Sequence, residues 1–344
     1  MSLKNYVCRI PFSYMEANPT HTFACCATWL PTPLGTIEDI ENVRESEILK
    51  KIQDSMLDGS YSYCSSIHCP ALSDLINNDI ADTNYFIPIE KFKKENYSFP
   101  ENINFGYDMS CNLSCPSCRT EVIMANGIEQ DKINTITEKL LNSYGKDLKV
   151  IRMSTTAEPL ASKTFRNILL TIDKNKFPKL THINLHTNGI LFTKEMWSKL
   201  KPIHKLLKSM EISIDASNKE TYNIVRRGGN WDVLIENLKF ISTLNINDIT
   251  TSMVVQDENY MEMEDFYNLT QTIFKGKAKV FFKKVNNWGA YTDEEYNQKQ
   301  IWEEKHPEFN LFLLQLSKID KKYNCLHNMH DIVLKHIPKE IKFI

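Results

Sequence analysis

Cys111, Cys115 and Cys118 fall within the eight residues CNLSCPSC, directly after the apolar-alternating run Ile103 to Tyr107. Three thiolates so close together on a loop can ligate three irons of a [4Fe–4S] cube and leave the fourth iron bare. An open coordination position is what a reactive metal centre needs, as with catalytic zinc. Two other chemistries suit a cysteine triplet: a zinc site, which usually comes as two C-x2-C pairs, and redox-active thiols.

A scaffold must hold that loop, and the chain from about residue 100 onward reads as one. Strand-like segments are Asn102–Tyr107, Leu148–Ser154, Thr181–Thr187, Met210–Asp215, Ile249–Gln256 and Ala278–Val285. Helical patterns lie between them: Lys132–Tyr144, Phe165–Asn175, Lys194–Lys208, Glu220–Leu244 and Met261–Phe274. Ile133, Ile136, Leu140 and Tyr144 share one face of the first, and Gly145 follows as a stop. Six β-α steps of roughly 30 residues imply an α/β fold with a parallel sheet and right-handed crossovers. Periodicity alone leaves open whether the sheet is doubly wound or a barrel short of eight strands.

In β-α barrels the chemistry gathers at the carboxyl ends of the strands. Four features fall at such ends here. Glu158 follows the second strand, in MSTTAEPLAS; its plainest role is that of a helix N-terminal acid stabilised by the dipole. Asn188 and Gly189 follow the third, in HTNG, a ready turn. The fourth ends in SID, where Ser213 and Asp215 lie two apart and so share a face, suited to a ligand or to a buried network. Arg226 and Arg227 come in VRRGGNW; a guanidinium clamps a carboxylate bidentately. Arg226 is the candidate clamp and Arg227 is expected in solvent.

Composition sets the bounds. The chain has 344 residues, 42% hydrophobic and 24% charged, enough for a sizeable core. Its net charge of −2 gives no electrostatic case for nucleic acid or a membrane surface. No run of about 18 apolar residues appears, and MSLKNYVCRIPFSY lacks the apolar core of a signal peptide. With nine cysteines the expectation is metal ligation in a reducing cytoplasm, not a disulfide framework.

The triplet spacing, with the strand-end features in this order, resembles the radical S-adenosylmethionine (radical SAM) superfamily. The resemblance implies a partial (βα)6 TIM-like barrel with a [4Fe–4S] cluster on Cys111, Cys115 and Cys118. S-adenosylmethionine would chelate the free iron through its amine and carboxylate, and one electron would release a 5′-deoxyadenosyl radical. It further implies that Glu158 meets the cofactor's ammonium, Asn188 approaches the cofactor, Ser213 and Asp215 serve its ribose or carboxylate, and Arg226 its carboxylate. Two departures stand out. Ser117 occupies the position that is commonly aromatic in the family, so adenine stacking passes to another residue, with Tyr107 the candidate. Ala157 replaces the family's glycine before Glu158.

The first hundred residues differ in texture. Prolines punctuate short segments, one amphipathic helix is clear at Glu45–Leu57, and five cysteines occur: Cys8, Cys25, Cys26, Cys64 and Cys69. This resembles the auxiliary-cluster module, of SPASM or shorter twitch type, placed before the barrel. It implies a second [4Fe–4S] cluster on Cys8, one of Cys25 and Cys26, Cys64 and Cys69, with a four-thiolate zinc site as the alternative. Adjacent strand residues face opposite ways, so one of the pair should ligate. The expected division is 1–98 for the cysteine-rich module, 99–290 for the barrel and 291–344 for a helical extension. Cys325, near His327 and His330, is either a buried thiol or a hydrogen donor to a substrate radical. The expected function is hydrogen abstraction from a peptide or protein substrate, leading to dehydrogenation, cross-linking or epimerisation. The electron donor would be a flavodoxin or ferredoxin. The alternatives are a sugar or other small-molecule substrate, and a non-enzymatic zinc-stabilised binding module.

Overall fold

The computed structural model describes residues 3–153, 156–323 and 325–337. The first segment supplies β1 (Tyr6–Cys8), α1 (Ile10–Ser13), β2 (Tyr14–Ala17), β3 (His21–Phe23) and β4 (Gly35–Thr36). It continues through α2 (Glu47–Leu57), α3 (Pro70–Asn78) and β5 (Phe86–Pro88). Leu49, Ile52 and Met56 are buried along α2 at helical spacing. Pro70 opens α3, where its missing N–H costs nothing. β1 and β5 pair antiparallel, with Cys8 opposite Phe86.

The alternating part follows as β6 (Asn102–Phe105), α4 (Gly127–Tyr144), β7 (Val150–Met153), α5 (Lys163–Thr171), β8 (His182–Thr187) and α6 (Lys194–Lys199). Then come β9 (Leu207–Ser213), α7 (Lys219–Val225), α8 (Trp231–Ile241), β10 (Asp248–Val255), α9 (Met263–Phe274) and β11 (Lys279–Lys284). The last elements are α10 (Asp293–Lys299), α11 (Phe309–Lys322), β12 (Leu326–His327) and α12 (His330–His336). All six expected strands are present; Ser154, expected at the end of the second, lies outside the described residues.

These strands form one sheet in the order β12-β11-β10-β9-β8-β7-β6-β2-β3-β4. Every pairing from β2 to β12 is parallel, and β3 and β4 add an antiparallel edge. Among the described residues the two edges do not meet, so the architecture is α/β with an incomplete TIM-like barrel. Two parallel strands were not legible in the sequence. β2 precedes the six and β12 follows them, both too short to show a period. The expected helix Glu220–Leu244 is two helices, because Gly228 adopts φ +88° and Gly229 lies where a Cβ would come within 2.5 Å of the Tyr222 hydroxyl.

Alternation along the strands separates two faces. Met15, Ile103, Ile151 and Ile183 are fully buried on one face. The other carries Glu16, Asn104, Arg152, Asn184 and Ser209, paired in register across β2, β6, β7, β8 and β9. A parallel sheet covered on both sides would read as continuous apolar runs; here one face is polar. No helix among the described residues is long and apolar enough to cross a membrane.

Candidate active site

The cysteine loop leaves β6 and is closed by backbone bonds: Cys111 N–H donates to Ile123 O at 2.8 Å, and the Cys118 and Arg119 N–H groups to Cys115 O at 2.9 and 3.0 Å. Two arginines brace it. Arg119 donates to the carbonyls of Met109 (2.6 Å) and Thr156 (2.7 Å), and its Nη2 also lies 3.4 Å from Cys118 Sγ. Arg227 is exposed, as expected, and also donates to Ser114 Oγ at 3.1 Å and Thr120 O at 2.8 Å.

Each sulfur of the triplet has nitrogen donors beside it. Leu113 N–H and Asn188 Nδ2 approach Cys111 Sγ at 3.5 and 3.9 Å, Arg226 Nη1 approaches Cys115 Sγ at 3.6 Å, and Arg119 serves Cys118. Hydrogen bonds to sulfur tune an iron–sulfur centre. Burial pushes the Cys111 thiol up to about 11 and also raises Cys115, against the pull of Arg119 and Arg226 respectively. Proton loss therefore needs a positive partner. Arg226 Nε and the Tyr222 hydroxyl are buried without a hydrogen-bond partner among the described residues. The triplet and these orphaned polar atoms fit a cluster with an open iron and a polar ligand upon it.

Glu158 does not face an incoming ammonium with a free carboxylate. It is 1% exposed. The Thr187 hydroxyl donates to its two oxygens at 2.9 and 3.0 Å, Asn188 N–H to Oε2 at 2.7 Å, and Leu160 N–H to Oε1 at 3.2 Å. Burial raises it to about 7 in spite of these donors. Its work is to pin the Thr187–Gly189 turn, whose Gly189 has φ +78°, beside the cysteine loop. Asn188 then reaches Asn112 Oδ1 at 3.0 Å as well as Cys111.

Ser213 and Asp215 do not share a face. β9 ends at Ser213, and Asp215 turns into the left-handed region at φ +65°, which breaks the two-residue alternation. Asp215 pairs with Arg226 Nη2 at 2.8 Å and accepts Val254 N–H at 2.8 Å, while Asn259 Nδ2 donates to its carbonyl. Asp215 therefore aims Arg226. Ser213 instead meets His186 Nε2 at 2.8 Å and Ser252 Oγ at 3.4 Å. Tyr107 is 3% exposed, bonds Thr137 and packs edge-on against Phe165. It is held in the helix-side core and cannot stack on an adenine.

A second cysteine set gathers in the N-terminal segment. Cys8 on β1, Cys25 after β3, Cys64 in a turn and Cys69 before α3 line one small pocket, with a cavity of about 20 Å³. Its other walls include Trp29, Leu30, Tyr61, Leu72, Tyr85 and Phe86. Burial pushes Cys8 and Cys64 up to about 12. Cys26 does not line this pocket; its carbonyl accepts the Trp29 and Leu30 N–H groups. Among the described residues no three His, Cys, Asp or Glu side chains converge as they would on a single metal ion.

Cys325 belongs to neither set. It precedes β12, whose Leu326 pairs with Phe281 early in β11, and its sulfur faces Ile319 O at 3.9 Å. That contact, with the last turns of α11, is what an ordinary thiol makes and lends no support to the hydrogen-donor role. The sequence reading missed Arg119, Tyr222, His186, Glu211 and Lys283. Arg119 adjoins Cys118, a detectable signal. The other four depend on tertiary placement.

The family model described as Radical SAM superfamily matches residues 109–270. GTP 3′,8-cyclase of Petrotoga mobilis (strain DSM 10674 / SJ95) is 29% identical over 167 residues, covering 46% of this chain and 49% of that protein. Mycofactocin maturase MftC of Mycolicibacterium smegmatis is 24% identical over 125 residues, covering 36% and 29%. The chain spans about half the length of the cyclases it matches. Streptococcus suis SuiB bound to precursor peptide SuiA aligns over 94% of this chain and 71% of that one, at 12% identity and a TM-score of 0.44.

Proposed function

We propose that this chain, whose residues 109–270 match the radical SAM superfamily, abstracts hydrogen from a substrate held on the polar face of its sheet, most directly in the modification of a peptide or protein side chain. The observation that carries the reading is the convergence of nitrogen donors on the Cys111, Cys115 and Cys118 sulfurs, with Arg226 aimed by Asp215 at the same place. Cys111, Cys115 and Cys118 would hold the catalytic cluster, and Cys8, Cys25, Cys64 and Cys69 an auxiliary one. When bound, the first cluster and S-adenosylmethionine supply the carbon radical that takes hydrogen, and the second supplies a place for an electron.

The protein's own residues position and exclude. Arg226, charged at any working pH, presents a guanidinium to a carboxylate, and Asn188 and the Glu158-pinned turn fix the wall beside Cys111. Apolar and aromatic walls surround the N-terminal thiols, of which Cys25 is buried and the others half-buried. A small redox protein of flavodoxin or ferredoxin type would deliver the electron. The incomplete barrel supports a peptide substrate, because its open side leaves room for a chain to enter. A second reading, modification of a nucleotide or other small molecule, is favoured by the 29% identity to GTP 3′,8-cyclases.

The test is anaerobic reconstitution followed by dithionite and S-adenosylmethionine. The expected result is 5′-deoxyadenosine from the wild type and none from Cys115→Ala. Its absence from fully iron-loaded wild type overturns the reading. Deuterium transfer from a labelled candidate peptide, or from GTP, then decides the substrate class.

A further inference from the structure

The polar face of the sheet carries several charges, and most are answered within the protein. Lys283 pairs with Glu211, and His186 Nε2 stands 3.6 Å from Glu211. Glu16 accepts the Tyr14 hydroxyl at 3.3 Å and Ala27 N–H at 3.5 Å. Arg152 is different. It is exposed, its Nε donates to Asn102 Oδ1 at 3.2 Å, and no carboxylate among the described residues lies within ion-pair distance of it.

Its position gives the unanswered charge a purpose. Arg152 stands on β7 with Asn104 of β6 and Asn184 of β8 as its neighbours in register. Its guanidinium is near enough to Tyr14 and Tyr85 for its charge to act on both hydroxyls. Tyr85 is a wall of the N-terminal cysteine pocket. Four residues along the chain, Thr156 O holds Arg119, which in turn reaches Cys118. Arg152 therefore lies on the face turned away from the helices, leaning toward Asn102 and the N-terminal segment.

Resting on the reading that this face takes the substrate, we infer that Arg152 anchors an anionic group of that substrate, a carboxylate or a phosphate. The guanidinium fork is the side chain best matched to either anion, which it grips through two parallel N–H···O bonds. Asn184, on its β8 flank, offers an amide to the polar atoms beside the anion. Lys283, His186 and Ser213, on later strands, extend the polar floor. The substrate would lie with its anionic end toward the N-terminal segment.

The experiment measures binding to the full-length, iron-loaded protein by isothermal titration calorimetry, with GTP as the phosphate probe and a capped pentapeptide bearing one glutamate as the carboxylate probe. At least one probe should bind the wild type. Arg152→Gln should weaken it roughly tenfold or more, the scale of a lost charge-assisted hydrogen bond, and Arg152→Lys should recover part of the loss. Lys132→Gln, which removes a cation from the outer helix α4, should change nothing. Iron content and melting temperature check that each variant is folded and loaded. The probe that responds names the anion. Failure of both probes to bind, or equal binding by Arg152→Gln, overturns the inference. Arg152-dependent binding by a protein that makes no 5′-deoxyadenosine leaves the anion site standing and removes the radical reading instead.

Discussion

The Asp215 carboxylate lies 2.8 Å from one terminal nitrogen of Arg226, and the other terminal nitrogen lies 3.6 Å from the Cys115 sulfur. One guanidinium thus bridges an acid at the end of β9 and a thiol of the cysteine loop. Both side chains are nearly buried, so removing the acid strands a charge, at about 3–5 kcal/mol for a buried pair. Asp215→Asn keeps the shape and loses the charge. We expect a lower melting temperature and a 5′-deoxyadenosine rate reduced roughly tenfold or more, as befits a misplaced clamp. Unchanged turnover in an iron-loaded variant would show that Arg226 needs no aiming.

The adjacent cysteines offer a sharper contrast. Cys25 lines the N-terminal pocket and Cys26 does not. Iron analysis of wild type should approach about eight irons per chain, two cubes of four. Cys25→Ser should lower it to about four, while Cys26→Ser keeps the full complement. The reverse result would reassign the fourth ligand.

Glu158 accepts hydrogen bonds from Thr187, Asn188 and Leu160. Glu158→Gln turns an NH2 group toward these donors and leaves one unanswered, at about 1–3 kcal/mol. Chemical denaturation should register that loss. The cluster absorbance of Glu158→Gln should persist while affinity for S-adenosylmethionine falls, since Asn188 loses its backbone anchor.

Asp257 and Glu258 share the Lys299 ammonium. Burial, and then the neighbouring Asp257, raises Glu258 from 4.5 to about 7. The folded state therefore holds a proton that the unfolded chain has released, so wild-type stability falls as pH rises from about 4.5 through about 7. Glu258→Gln carries no such proton. Its melting temperature relative to wild type should be higher at pH 8 than at pH 4.5, and a gap that does not widen would contradict the linkage.

Much of this was legible before any coordinates. Alternation is a local property, and Ile103, Ile151 and Ile183 announced their strands correctly. The three cysteines and Asn188 each follow a strand, and the barrel gathers strand ends; Arg226, which closes α7, joins them only in the folded chain. What escaped depends on geometry that spacing does not encode. Asp215 is displaced by one left-handed residue, its own φ of +65°. Tyr107 reads as a strand-end aromatic yet is consumed by Thr137 and Phe165. Arg152 looks like an ordinary strand cation until register sets it between Asn104 and Asn184.

Tyr14–Ala17 hydrogen-bonds along the whole length of Asn102–Phe105. A version of the chain trimmed at residue 99 would bare that flank of Asn102–Phe105, offering unpaired amides and carbonyls to any passing polypeptide, the usual route to sticking and precipitation.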